Sequence, residues 1–169
     1  MTTHHESKLF INEGIFGIFD NGEVPVETAD WSAGLIAPMA AGAMVRTGIN
    51  TGNVRVEVET GAPASTPGEW EEEAAALVWS PTGSLRIESV VEGPGLDLPI
   101  LSTFGPGWYE VAVKARGRRE NPDASILDSA EAYQVRLRPA PGTTPPVPGS
   151  TSSETDPDEE ARRRRLLQE

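Results

Sequence analysis

Apolar and polar residues alternate with a period of two wherever this chain shows a clear pattern. In VRVEVET, Val54, Val56 and Val58 alternate with Arg55, Glu57 and Glu59. That period gives a strand with one buried and one solvated face. LRIESVV repeats it, with Leu85 and Ile87 set against Arg86 and Glu88. In GWYEVAVKAR, Tyr109, Val111, Val113 and Ala115 point one way and Glu110, Lys114 and Arg116 the other. AYQVRLRP carries Tyr133, Val135 and Leu137 against Gln134, Arg136 and Arg138, and is the expected partner of that strand. Val56, Val111 and Val135 sit mid-strand on apolar faces and are expected core residues.

The remaining stretches are less regular. KLFINEGIFGIFD (8–20) reads as one strand, or two short ones broken at a glycine, and Asn21–Gly22 is a hairpin-turn signal. Pro38 and Gly42 forbid one long helix in GLIAPMAAGAMVRTGI, which leaves a loop and a strand at 43–49. EEEAAALVWS reads as a strand rather than a short helix stopped at Pro81, and a further short strand is expected around Leu96, Leu98 and Ile100. GRRENPDASILDSAE forms a long connection, a length at which function or a helical turn is common. Short strands separated by turn signals predict an all-β fold: an antiparallel β-sandwich of about 7–9 short strands with a flexible C-terminal tail.

The expected boundaries are a disordered N-terminus at 1–7, the sandwich at 8–138, a linker at 139–155 and a charged tail at 156–169. PAPGTTPPVPGSTSSET is too rich in Pro, Ser and Thr to bury a core. In the tail, Asp156 is a helix cap with Pro157 at the first position, and Asp158, Glu159 and Glu160 each precede an arginine by four residues. Such pairs add only about 0.2–0.5 kcal/mol each, so the short helical tail is marginal alone.

Composition narrows the function classes. The formal net charge is −12 over 169 residues, with no cysteine and two histidines. Clustered cations are what nucleic-acid binding needs, so direct nucleic-acid contact is not expected; a protein partner with a basic surface is. No apolar run reaches the length that spans a bilayer, and MTTHHESK lacks the pattern of a secretory leader, so the expected location is cytoplasmic. Missing thiols remove disulfides and Cys-ligated zinc. His4 and His5 are adjacent and offer neither metal-ligand spacing nor a catalytic triad. Asp123 with Asp128, or the Glu71–Glu73 run, are carboxylates of the type used in acid–base work, but a solvated loop and an acidic rim explain them more simply. GxGxxG and GK[ST] phosphate loops are absent. The expectation is therefore a non-enzyme without cofactor or metal.

Arg116, Arg118 and Arg119 read first as a strand end whose arginines answer the body's own acids. The candidate partner contacts are Glu57, Glu59, Glu71, Glu72 and Glu73, with Arg116, Arg118 and Arg119 fixing orientation.

Taken in order, several segments resemble the competence protein J family and related small bacterial β proteins. They are the aromatic first strand ending FGIFDNG, the Asp30–Trp31 pair, NVRVEV, SPTGSLRIESV, LDLPILSTFGPGWYEVAVKARGRR and EAYQVRLRPA, spanning roughly 8–140. The resemblance implies a small cytosolic domain that works by binding a protein, as an inhibitor or immunity factor for a nuclease or toxin. No inhibitory residue carries over. The alternatives are a docking module of a virion or other assembly and, further off, a carboxylate-dependent hydrolase.

Overall fold

The computed structural model describes residues 3–60, 70–95 and 97–140. Among these described residues ten strands form two five-stranded sheets. They are β1 Thr3–Ile11, β2 Ile15–Asp20, β3 Ile36–Pro38, β4 Ala43–Arg46, β5 Thr51–Thr60, β6 Glu72–Ser80, β7 Leu85–Ser89, β8 Gly93–Pro94, β9 Gly107–Arg116 and β10 Ser125–Pro139. One sheet runs β1-β5-β10-β9-β6 and the other β3-β4-β2-β7-β8. The all-β sandwich expected from the alternation is present.

The apolar halves of the alternating strands meet between the sheets. Val54, Val56 and Val58 of β5, Val111 and Val113 of β9, and Tyr133 and Val135 of β10 are all buried. They pack against Phe16 and Ile18 of β2, Val45 of β4 and Leu85 and Ile87 of β7. Phe16 and Tyr133 meet edge to face at 5.3 Å, an arrangement aromatic pairs favour. Val56, Val111 and Val135 are core residues, as the period demanded. β9 and β10 pair as expected, with Val113 opposite Val135 and Val111 opposite Leu137. At Asn21–Gly22 both φ angles are positive, +50° and +75°, and Glu23 N–H donates to Asp20 C=O at 3.0 Å. This is the tight hairpin geometry the Asn-Gly dipeptide favours.

Four expectations change. β1 begins at Thr3 rather than Lys8, because its backbone pairs with β5 as far as Thr60. No strand forms at 97–101; Leu98 and Leu101 are instead buried from an irregular segment whose Leu101 N–H donates to Leu85 C=O. β10 starts at Ser125, so the second part of the long connection, 125–131, is strand. β10 also runs parallel to β5, with register shifts between Ile126 and Ala132, so the sheet is mixed in direction. Of the strand expected at 43–49, Ala43–Arg46 forms, and a shorter strand at Ile36–Pro38 pairs with it. The linker from 141 onward and the helical tail at 156–169 lie outside the described residues, as does Leu96.

Candidate functional site

Strand alternation divides the Glu71–Glu73 run. Glu72 lies on the inner face of β6 with Ala74, Ala76 and Val78, while Glu71 and Glu73 are exposed. The Glu72 carboxylate stands 2.5 Å from the Arg118 guanidinium and 3.9 Å from that of Arg119. Glu71 accepts from Gly117 N–H at 3.4 Å. Arg116, on the outer face of β9, lies 5.0 Å from the Trp70 ring centre, a cation–π contact. Glu71, Glu72, Arg116, Arg118 and Arg119 thus gather at one end of the β6–β9 pair.

Arg118 is the inner member of that group. Burial works against its charge, but Glu72 outweighs the burial and holds the guanidinium above its ordinary range. Beneath it lies Glu131, buried, whose carboxylate accepts from Ile49 N–H at 2.6 Å, Gly48 N–H at 3.1 Å and the Tyr133 hydroxyl at 2.6 Å. Gly48 is required by this approach: a Cβ there would fall 2.1 Å from Arg118 C=O and 2.6 Å from Glu131 Oε1. Burial first, and then the Glu131 carboxylate, push the Tyr133 phenol well above its usual range. A phenol held protonated and a carboxylate saturated with donors are structural groups, without a free lone pair aimed at solvent. The sequence left Glu131 unassigned because SILDSAE has no period; its one signal was an acid two residues before Tyr133 on a strand that buries Tyr133.

Glu57 and Glu59 lie on the outer face of the same sheet, on β5. Cross-strand register places Glu57 in a row with Glu6, Gln134, Lys114 and Glu73. Glu57 and Glu73 are three strand spacings apart, about 14 Å. The acids therefore do not form one cluster, although they share one face. That face is also less solvated than the alternation suggested: the Glu59 side chain is only 13% exposed and stands 3.7 Å from Arg136. Arg55 pairs with Glu6 at 3.1 Å and Arg138 with Glu110 at 2.8 Å. Exposed pairs of this kind add at most about 1 kcal/mol each, but they fix which charges face outward.

The same face carries an aromatic pair the sequence reading did not single out. Trp79 of β6 and Trp108 of β9 are opposite in register with ring centres 5.4 Å apart. Leu77, 49% exposed, is two residues away on the same face. Alternation alone would have paired these residues had the β6–β9 register been known.

Two open grooves lie among the described residues. One of about 490 Å³ runs between β1 and β8, lined by residues including Lys8, Phe10, Glu92 and Asp97. The other, about 330 Å³, holds Arg86 and Glu88. Burial pushes the Glu88 carboxyl up, and Arg86 draws it part of the way back. Among the described residues no group of three or more His, Cys, Asp or Glu side chains could hold a metal ion. His4 and His5 lie in β1, and Asp128 pairs with Lys8 at 3.1 Å. No helix among the described residues is long and apolar enough to cross a membrane.

No family model and no curated protein matches the sequence. Two solved structures resemble the fold. ComJ, inhibitor of the DNA degrading activity of NucA, from Bacillus subtilis, superposes with a TM-score of 0.58 at 15% identity, over 83% of this chain and 99% of that one. Crocagin biosynthetic gene J matches with a TM-score of 0.43 at 17% identity, over 82% of this chain and 98% of that one. The first likeness bears out the resemblance at the level of fold.

Proposed function

We propose that this chain is a non-enzymatic, cytoplasmic protein-binding domain that inhibits a nuclease or a toxin. The observation that carries the reading is the fold shared with ComJ across nearly the whole of that protein. The charge supports it. A chain of net charge −12 is drawn to the cationic clefts that hold nucleic-acid phosphates. The outer face of the β1-containing sheet is the proposed contact surface, with Glu57, Glu59, Glu71 and Glu73 as its acids and Arg116 and Arg119 as orienting cations. Glu72 and Arg118 act behind them as the inner ion pair that sets the β6–β9 end.

The test begins with capture of a partner from cell extract, by the wild-type chain beside a Glu57→Lys/Glu59→Lys double variant. The recovered partner is then titrated with pure wild-type chain while its cleavage of DNA, or its toxic activity, is followed. Activity should fall to baseline near a stoichiometric ratio, and the variant should associate more slowly. Because the Debye length is about 8 Å at physiological salt, wild-type association should also slow as salt rises. A partner whose activity is untouched by excess chain would remove the inhibitor reading. Recovery of an assembly component without such activity would favour the docking-module alternative.

A further inference from the structure

The sandwich has four edge strands, and three are protected in familiar ways. β3 and β8 have three and two residues, and β1 carries Lys8. Shortness and lysine are both devices that keep an edge from recruiting another strand. β6 has neither. It is nine residues long, without proline, lysine or any register shift against β9, and its middle is Ala-Ala-Ala-Leu-Val.

The direction of its backbone groups follows from two hydrogen bonds. Ala140 N–H donates to Trp108 C=O at 2.9 Å, so Trp108 points its backbone at β10 and its neighbour Tyr109 points at β6. Gly42 N–H donates to Trp79 C=O at 2.9 Å from the side of β6 opposite β9. Even-numbered residues of β6 therefore bond β9. Glu73, Ala75 and Leu77 turn both N–H and C=O to the open edge, where no described residue pairs with them. Beyond Leu77 the edge is closed by Gly42.

We infer that this open stretch, Glu73 to Leu77, is a docking strand that accepts an extended basic segment of a partner protein as a sixth strand of the sheet. Strand addition takes affinity from main-chain bonds and specificity from alternate side chains. Here the alternate positions present Glu73, then Ala75, then the half-exposed Leu77, with exposed Glu71 preceding them. They call for Lys or Arg facing the acids and β-branched residues facing Ala75 and Leu77. A second copy of this chain fits poorly. Two-fold pairing over Glu73–Leu77 centres on Ala75 and sets each Glu73 carboxylate opposite the other copy's Leu77, with no cation to answer it. The inference rests on the protein-binding reading but not on the inhibition of any particular target.

The test uses the full chain, labelled with nitrogen-15, and a capped heptapeptide Ile-Thr-Val-Thr-Arg-Thr-Lys, beside the same peptide with Asp in place of Arg and Lys. At saturation the basic peptide should slow amide exchange at Glu73, Ala75 and Leu77 at least tenfold, and the acidic one should not. Ala75→Pro, which removes an edge donor, and Leu77→Lys, which adds like charge, should each weaken peptide binding at least tenfold. Leu77→Lys guards against a folding defect in the proline variant. Equal protection by both peptides, or none by either, overturns the inference. So does slow exchange of these three amides in the free chain, since that means the chain itself or a second copy already covers the edge. Failure to inhibit any nuclease, with peptide protection intact, would remove the inhibitor reading and leave the docking strand standing.

Discussion

Glu131→Ala should cost this fold about 3–5 kcal/mol. Glu131 is buried and takes three hydrogen bonds, from Ile49 N–H, Gly48 N–H and the Tyr133 hydroxyl. Alanine fills none of that space and leaves three donors facing a small void. Each stranded buried donor costs about 1–3 kcal/mol, giving roughly 3–9 in sum. Relief from no longer burying a carboxylate returns part of it, towards the 3–5 kcal/mol seen when one partner of a buried charged pair is removed. Domains of this size are stable by about 5–15 kcal/mol, so the variant should sit near the edge of folding. Urea unfolding followed by tryptophan fluorescence is the assay. At roughly 2 kcal/mol per molar of urea, the midpoint should fall by about 2 M. Glu131→Gln is the finer probe: an NH2 in place of Oε2 can donate to the Tyr133 hydroxyl, which rotates to accept, but then opposes the Gly48 N–H donor to donor, and in place of Oε1 it opposes the Ile49 N–H. It should lie between wild type and Glu131→Ala. A Glu131→Ala midpoint within about 0.5 M of wild type would show that these bonds are not what joins β10 to the 46–50 turn.

Val111→Ala should lower stability by about 1–3 kcal/mol, because Val111 is fully buried between the sheets; an unchanged urea midpoint would misplace that face. Glu88→Gln should stabilise the fold at neutral pH. Burial raises the Glu88 carboxyl in the folded state, so its contribution is complete below the unfolded value near 4.5 and declines as pH rises through the folded one. The thermal midpoints of wild type and Glu88→Gln should therefore converge as pH falls towards 4, and a gap that widens instead would contradict the sign. Chelators should leave the melting temperature unchanged, since the described residues offer no metal cluster; a drop of several degrees would contradict this.

The strands legible in the sequence are those whose two faces differ in polarity. Val54–Val58 and Tyr109–Ala115 announced both their existence and their buried side because burial on one face forces a period of two. Ser125–Ala130 gave no such signal. There β10 carries register shifts and leaves Leu127 exposed, so its pairing is dictated by β5 rather than by its own pattern. Leu96, Leu98 and Ile100 read as strand because they alternate, yet Leu98 and Leu101 are plugs hung from an irregular segment and Ile100 is exposed. The site was legible residue by residue and illegible as a grouping. Three consecutive glutamates look like one patch, whereas alternation sends Glu72 inward to Arg118 and keeps Glu57 about 14 Å from Glu73. Which edge stays open depends on long-range strand order, which no local window contains.

The parallel β5–β10 pair sets the order in which this molecule can assemble. β10 lies in the middle of its sheet, between β5 and β9, yet it is the last strand among the described residues. Without it the sheet is two separate hairpin-like pairs, β1 with β5 and β9 with β6, each marginal in water. Closure therefore waits for a segment drawn from far along the chain, the kind of non-local contact that slows folding into the millisecond-to-second range. The acids of β5 and Arg116 of β9 come to share a surface only at that step. A nascent chain lacking residues 125–139 has neither the closed sheet nor that shared surface, so under the proposed function folding and partner capture should switch on together.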